Sequence, residues 1–188
     1  LALRGLHDRA MNASNDMGDR KDMLQEALMA QRQMLIDAIG KPGEEIPQAF
    51  TPYKEVLDVY DEGLELPDDV TIIWPDDNYG YMKRLSSPKE QKRSGRSGVY
   101  YHSSYLGKPH DHLWMNTISP TLMYEELRKA YDATADRIWL LNAGDIKSCE
   151  FAVDYFLTMA FDIDSFNFER AANYRTEWLC GMLGDQYR

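Results

Sequence analysis

The sequence predicts an α/β fold, a partial (β/α)8 TIM-like barrel with about five parallel strands and helices toward the C-terminus. Three observations carry that prediction. Short apolar runs alternate with helical periodicity about five times along the 188 residues, the pattern of right-handed βαβ units around a parallel sheet. The runs are apolar at consecutive positions, as strands covered on both faces are. Each convincing run also breaks into polar side chains at its C-terminal end, the pole where loops gather over a rigid core. A closed barrel of this kind has more strands than five, so either further strands come from sequence outside this chain or the sheet is open.

Taken in order, Leu1-Ala2-Leu3 reads as a strand that turns polar at Arg4-Gly5. Nothing precedes it to pair with and the chain opens without Met, so an excerpt of a longer protein is expected. Met23, Leu24, Ala27, Leu28, Met34, Leu35, Ala38 and Ile39 recur at the spacing of an amphipathic helix, which Gly40-Lys41-Pro42-Gly43 ends. Pro47-Gln48-Ala49-Phe50 is a short second strand. It leads into a helix expected over 53–61, with Thr51 as N-cap and Pro52 at its first turn.

Val70-Thr71-Ile72-Ile73-Trp74 is the third strand and the clearest, breaking into Pro75-Asp76-Asp77-Asn78-Tyr79-Gly80-Tyr81. Over 82–97, Lys83, Arg84, Lys89, Lys92, Arg93 and Arg96 stand among Ser, Pro and Gly. That composition reads as a solvated loop or frayed helix, with an anion-binding patch as the alternative. Gly98-Val99-Tyr100-Tyr101 is a fourth strand releasing His102-Ser103-Ser104-Tyr105, and 109–114 reads as a polar, aromatic loop. Leu122, Met123, Leu127, Ala130 and Tyr131 stripe the next helix, with Ser119 or Thr121 as cap and Pro120 near its start. Arg137-Ile138-Trp139-Leu140-Leu141 is the fifth strand, ending in Asn142-Ala143-Gly144-Asp145. Cys149, Val153, Phe156, Leu157, Ala160 and Phe161 fall on one side of the helix after it, and the remainder to Arg188 reads as helical. The whole of 1–188 is expected to be part of one barrel domain, with 162–188 its C-terminal helical segment.

Composition narrows the partners. A net charge of −10, from 31 acidic and 21 basic residues, disfavours broad binding to a phosphate backbone, so nucleic acid is not expected. No run approaches the roughly 18 apolar residues of a membrane span, so no membrane partner is expected either. No glycine-rich dinucleotide or phosphate loop follows any strand, and no cofactor is expected. The two cysteines, Cys149 and Cys180, read as small buried side chains.

By position alone, the pole where strands end gathers Arg4, His7, Asp8, Glu55, Asp76, Asp77, Asn78, Tyr79, His102, Tyr105, Asn142 and Asp145. A carboxylate-rich, aromatic-rimmed cleft suits glycoside hydrolysis, where one carboxyl protonates the leaving oxygen and another activates water or attacks carbon. Each residue also has a plainer reading. Asp76 and Asp77 would cap a following helix, Glu55 would complement a helix dipole, and Asn142 with Asp145 would make a helix cap.

The segments Ile73-Trp74-Pro75-Asp76-Asp77-Asn78-Tyr79-Gly80-Tyr81, Ser97 to Tyr105 with Pro109-His110-Asp111 and Leu113-Trp114, and Leu141-Asn142-Ala143-Gly144-Asp145-Ile146-Lys147 resemble successive motifs of glycoside hydrolase family 115, the xylan α-1,2-glucuronidases. The resemblance implies a longer parent, secreted or periplasmic, with a domain before the barrel and others after it, and a homodimer as one possible assembly. It implies removal of glucuronic acid or its 4-O-methyl form from the xylose backbone of glucuronoxylan, with inversion and without a metal. Carried over by position, Glu55 matches the family's essential glutamate, Arg4 and Asp8 the motif after a barrel strand, Asn78 the Asp-Asp-Asn motif, and His102 with Tyr105 the His-x-x-Tyr pair. Around Arg4 the match is weakest, because Leu6-His7 and Arg9-Ala10-Met11-Asn12 depart from the pattern.

Glu55 and Asp8 are then the candidate acid and base, about 6.5–9.5 Å apart in an inverting site, with the assignment between them open. A further carboxylate from upstream sequence also stays open. Arg4 is the candidate partner of the uronate carboxylate, with Asn78, His102, Tyr105, Asp76, Asp77 and Asn142 as substrate-binding residues. Trp114 is the candidate for sugar stacking, and Trp74 and Trp139 are packing residues. The competing readings are a non-catalytic carbohydrate-binding barrel fragment and a metal-assisted hydrolase using His110, His112 and Asp76. Alone, the chain is expected to be unstable or inactive, because an incomplete barrel exposes strand edges.

Overall fold

The computed structural model describes residues 10–11, 15–107, 110–113, 116–184 and 186. In chain order the elements are α1 (Met17–Ile39), β1 (Ala49–Phe50), α2 (Glu55–Asp61), β2 (Thr71–Pro75), β3 (Ser97–His102), β4 (Tyr105–Gly107), β5 (His110–Leu113), α3 (Pro120–Asp132), β6 (Trp139–Asn142), α4 (Ile146–Phe161) and α5 (Phe168–Leu183). β1, β2, β3 and β6 form one sheet in that order, every pair parallel. Four of the five expected strands are therefore present as neighbours in sequence order, with flanking helices, consistent with part of a TIM-like barrel. The expected strand at Leu1-Ala2-Leu3 lies outside the described residues.

β2 is buried along its whole length, and β3 fits against β6 because Gly98 has no side chain. A Cβ there would stand 2.1 Å from the Ile138 carbonyl oxygen. Two apolar clusters cover the outer side of the sheet. Leu24 and Leu28 of α1 pack with Phe50, Val56, Val59, Leu64 and Val70 beside β1 and β2. Val99 and Tyr101 of β3 pack with Met123 and Leu127 of α3, Tyr155, Phe156 and Met159 of α4, and Ala171 and Tyr174 of α5. The segment 162–184 thus shares a core with the sheet. Because strand side chains alternate, Tyr100 and His102 take the face opposite Val99 and Tyr101.

Several expectations are corrected. Residues 105–107 and 110–113 pair antiparallel, β4 with β5, where a loop was expected over 109–114; this ribbon lacks the apolar alternation by which a half-buried strand is recognised. α2 starts at Glu55, with Lys54 at its N-cap. Thr51 does not cap it, because the Tyr53 N–H closes a tight turn on the Thr51 carbonyl at 2.9 Å.

No helix follows Asp76 and Asp77. The chain doubles back, and Met82 bridges to Asp76. The basic stretch contains one 3-10 turn, Glu90–Lys92, and its arginines are engaged internally. Arg84 pairs with Asp61 and Glu90, Arg93 donates to the carbonyls of Leu66, Pro67 and Val70, and Arg96 pairs with Asp136. That leaves these guanidiniums occupied and argues against an anion patch.

α4 buries Cys149, Phe151, Ala152, Tyr155, Phe156 and Met159, whereas Leu157 and Phe161 of the expected stripe are 56% and 93% exposed. α1 buries only Leu24 and Leu28 of its stripe. Cys149 and Cys180 are buried thiols. No described helix is long and apolar enough to cross a membrane.

Candidate functional site

Parallel pairing brings the C-terminal ends of all four strands to one edge, with Phe50 beside Ile72, Pro75 beside Tyr100 and His102 beside Asn142. The residues leaving those ends build the candidate site. Asp76, one residue past β2, has a fully buried side chain, as nearly has His102. Its Oδ1 lies 2.6 Å from His102 Nδ1 and accepts the Asn78 N–H at 3.1 Å, while Oδ2 accepts the His102 N–H at 3.0 Å. Asp76 therefore ties together two residues of this pole, His102 and Asn78.

Asp77 organises the loop from within. Its Oδ1 accepts the N–H groups of Tyr79 at 2.8 Å and Tyr81 at 3.1 Å, the Asx-type bonding that lets aspartate shape a turn. Asn78 takes the left-handed region with φ 73°, which asparagine tolerates better than most residues, and its Oδ1 accepts the Tyr53 hydroxyl at 3.0 Å. Gly80, φ 97°, closes the turn, and its carbonyl accepts the Tyr101 hydroxyl at 2.8 Å. Burial pushes the Tyr101 phenol pKa far up, reinforced by the carboxylates of Asp76, Glu126 and Asp77, so the phenol keeps the proton it donates. Where the chain returns, the Met82 N–H is held at 2.9 Å by Glu126 Oε2 of α3.

His102 lies among aromatic rings. Tyr53 stacks at 6.1 Å, Tyr100 tilts at 4.8 Å, and Tyr105 presents an edge at 5.8 Å. Tyr79 extends the cluster from Tyr105 at 5.7 Å. Asn142, ending β6, donates from Nδ2 to the Tyr100 hydroxyl at 2.7 Å, and its carbonyl accepts the Ser103 N–H at 2.9 Å. Beside this cluster a cleft of about 290 Å³ opens between the start of α2 and the 76–83 loop, bounded by Tyr53, Lys54, Asp58, Asp77, Asn78 and Lys83. Larger hollows of about 440 and 720 Å³ lie by Trp139 and Phe161 and beside Arg84 and Arg93. Volume alone does not select among these; what sets the strand-end cleft apart is that it adjoins the cluster built by polar groups from the ends of all four strands.

The structure thus brings Asp76, Asn78, His102 and Tyr105 together directly and Asn142 through Tyr100. Asp77 shapes the loop under them, and Glu55 opens α2 two residues past Tyr53 at the same pole. Asp145 is the N-cap residue of α4. Arg4, Asp8, Trp114 and the side chains of His110 and His112 lie outside what the structure describes. Among the described residues no three His, Cys, Asp or Glu side chains are grouped to hold a metal, and both oxygens of Asp76 already accept N–H groups. Trp74 is buried with its Nε1–H on Ser86 Oγ at 2.8 Å, and Trp139 donates to the Ala135 carbonyl at 2.6 Å; both are packing residues.

Tyr53 and Tyr100 are the participants that sequence reasoning missed. Two-residue alternation from His102 would have flagged Tyr100, whereas nothing local marks Tyr53.

Comparison with known proteins adds an independent line. The profile of glycosyl hydrolase family 115 matches residues 1–188. Among solved structures, BtGH115A, a family GH115 4-O-methyl-α-glucuronidase with specificity for decorated arabinogalactans, superposes with a TM-score of 0.94 at 42% identity, over 99% of this chain and 24% of that one. This chain thus spans about a quarter of that protein. The search of curated proteins found no match. A profile match along the entire chain, on a sheet whose strand ends carry the Asp-Asp-Asn and His-x-x-Tyr residues together, places the chain in glycosyl hydrolase family 115.

Proposed function

We propose that the protein carrying this chain is a glycoside hydrolase that removes glucuronic acid, or 4-O-methylglucuronic acid, from a decorated plant polysaccharide, and that this chain supplies part of its catalytic barrel domain, with 162–188 as a helical segment of that domain. The observation carrying this reading is the convergence of Asn78, His102 and Tyr105 at one pole, in a member of the family. The polymer we favour is glucuronoxylan, cleaved at its α-1,2 branch. The neighbour at 42% identity acts on decorated arabinogalactans, and this favours arabinogalactan as the second candidate.

In this reading Glu55 and Asp8 are the acid–base carboxylates of an inverting, metal-independent displacement. Arg4 pairs with the uronate carboxylate, Asn78, His102, Tyr105 and Asn142 border the sugar, and Trp114 stacks on it. Asp76 and Asp77 hold these groups in place. Leu140, on the same face of the sheet as Asn142, is 43% exposed, which supports the expectation that the chain alone is inactive.

The test is uronic acid release by the intact protein from glucuronoxylan and from decorated arabinogalactan, with the anomer first formed read by NMR. Release of the β-anomer, insensitive to chelator, is expected. Glu55→Ala is expected to lower turnover by about 10²–10⁴-fold, the range for a general acid or base. Unchanged turnover would remove Glu55 from the mechanism, and release from neither polymer would remove the proposal.

A further inference from the structure

The contact between Asp76 and His102 fixes the location of a proton as well as the orientation of a ring. With the N–H groups of His102 and Asn78 aimed at its oxygens, the Asp76 carboxylate is arranged as an acceptor. Two lone pairs do not approach to 2.6 Å, so the hydrogen in the Asp76 Oδ1 to His102 Nδ1 contact sits on Nδ1. In the neutral ring the other nitrogen is then bare. His102 Nε2 has no hydrogen-bond partner among the described residues, and the His102 side chain keeps 2% of its surface exposed. The rings of Tyr53, Tyr100 and Tyr105 hold the imidazole at the pole.

We propose that Asp76 is a positioning residue that holds His102 in its Nδ1–H tautomer, so that Nε2 accepts a hydrogen bond from a sugar hydroxyl and does not bind the uronate carboxylate. A bare imidazole nitrogen faces a carboxylate lone pair against lone pair, whereas a hydroxyl offers it a proton. His102 then reads what a glucuronosyl and a glucosyl ring share, and the carboxylate is left to a cation elsewhere. The identity of the sugar rests on the function proposed above; the tautomer does not.

The experiment is 15N NMR of the intact protein with labelled histidine, His102 being assigned by its loss in His102→Gln. In the free protein Nδ1 is expected in the protonated range and Nε2 in the unprotonated range. Sodium D-glucuronate is expected to shift Nε2 as a hydrogen-bond acceptor without protonating it, and methyl α-D-glucopyranoside to move the same nitrogen. A proton on Nε2 in the free protein, or an imidazolium on adding glucuronate, would overturn the inference. Asp76→Asn is expected to weaken both sugars by about tenfold; a loss confined to glucuronate would overturn the hydroxyl assignment. If neither sugar moves His102, the proposed function fails at this site, while the spectrum of the free protein still decides what Asp76 does.

Discussion

The two faces of β3 differ by one residue of offset and by everything else. Val99 and Tyr101 are fully buried against α3 and α4 in an apolar cluster. Tyr100 and His102, on the opposite face, meet an amide and a carboxylate: Asn142 Nδ2 donates to the Tyr100 hydroxyl, and Asp76 holds His102. One strand thus carries the packed core on one side and the candidate site on the other, and it is the parallel sheet's period of two that keeps them apart. Tyr101 is the exception that joins them, because its ring lies in the core while its hydroxyl holds the Gly80 carbonyl of the site loop.

The separation is open to attack from both sides. The largest effect is expected from the outer face. Leu127→Ala, at a fully buried position packed with Val99 and Tyr101, should cost about 2–5 kcal/mol in denaturant melts yet leave uronate affinity per folded molecule unchanged. A parallel loss of affinity would mean the two faces are not independent. Next comes the residue that bridges them. Tyr101→Phe strands the Gly80 carbonyl at a cost of about 1–3 kcal/mol and should also weaken glucuronate binding, since the loop carrying Asn78 loses a tie. Tyr100→Phe, on the inner face, removes the partner of Asn142 Nδ2 and should cost at most about 1 kcal/mol, with turnover falling more than stability.

The smallest effect sharpens the comparison away from the site. Burial alone would raise the Glu90 carboxyl, but bonds from the Ser87 N–H and the Tyr60 hydroxyl, with the Arg84 guanidinium nearby, hold it below its ordinary value. A group whose folded pKa is depressed contributes stability that is present above the unfolded value of 4.5 and lost as pH falls through the lower folded value. Stability measured downward from pH 5 should therefore decline less steeply in Glu90→Gln than in the wild type. Equal slopes would show that this network is not what links the loop to pH.

What was legible in the sequence follows the same division. β2 and β3 were visible because burial on both sides makes a continuous apolar run, β6 by an apolar run of its own although Leu140 is 43% exposed, and the common pole followed from their parallel order. The pairing of β4 with β5 was not, since it is antiparallel and local and no apolar alternation marks it. α4 is apolar around most of its circumference, so periodicity proposed Leu157 and Phe161 for the core where packing selected Phe151 and Tyr155. At the candidate site, Asn78, His102 and Tyr105 were legible as polar residues at or shortly after the ends of buried strands. The bonds by which Asp76 and Asp77 organise the loop were not, because they depend on which N–H groups the fold turns toward each carboxylate. Tyr53 reaches Asn78 across 25 positions, a distance no local pattern spans.

The proposed function requires one placement, a uronic sugar at the C-terminal ends of the strands. A structure of the intact protein with D-glucuronate bound tests it directly. The expected result is a sugar within hydrogen-bond distance of Asn78 and His102, with a ring hydroxyl on His102 Nε2. A sugar seated instead in the hollow beside Trp139 and Phe161, or in the one beside Arg84 and Arg93, would contradict it.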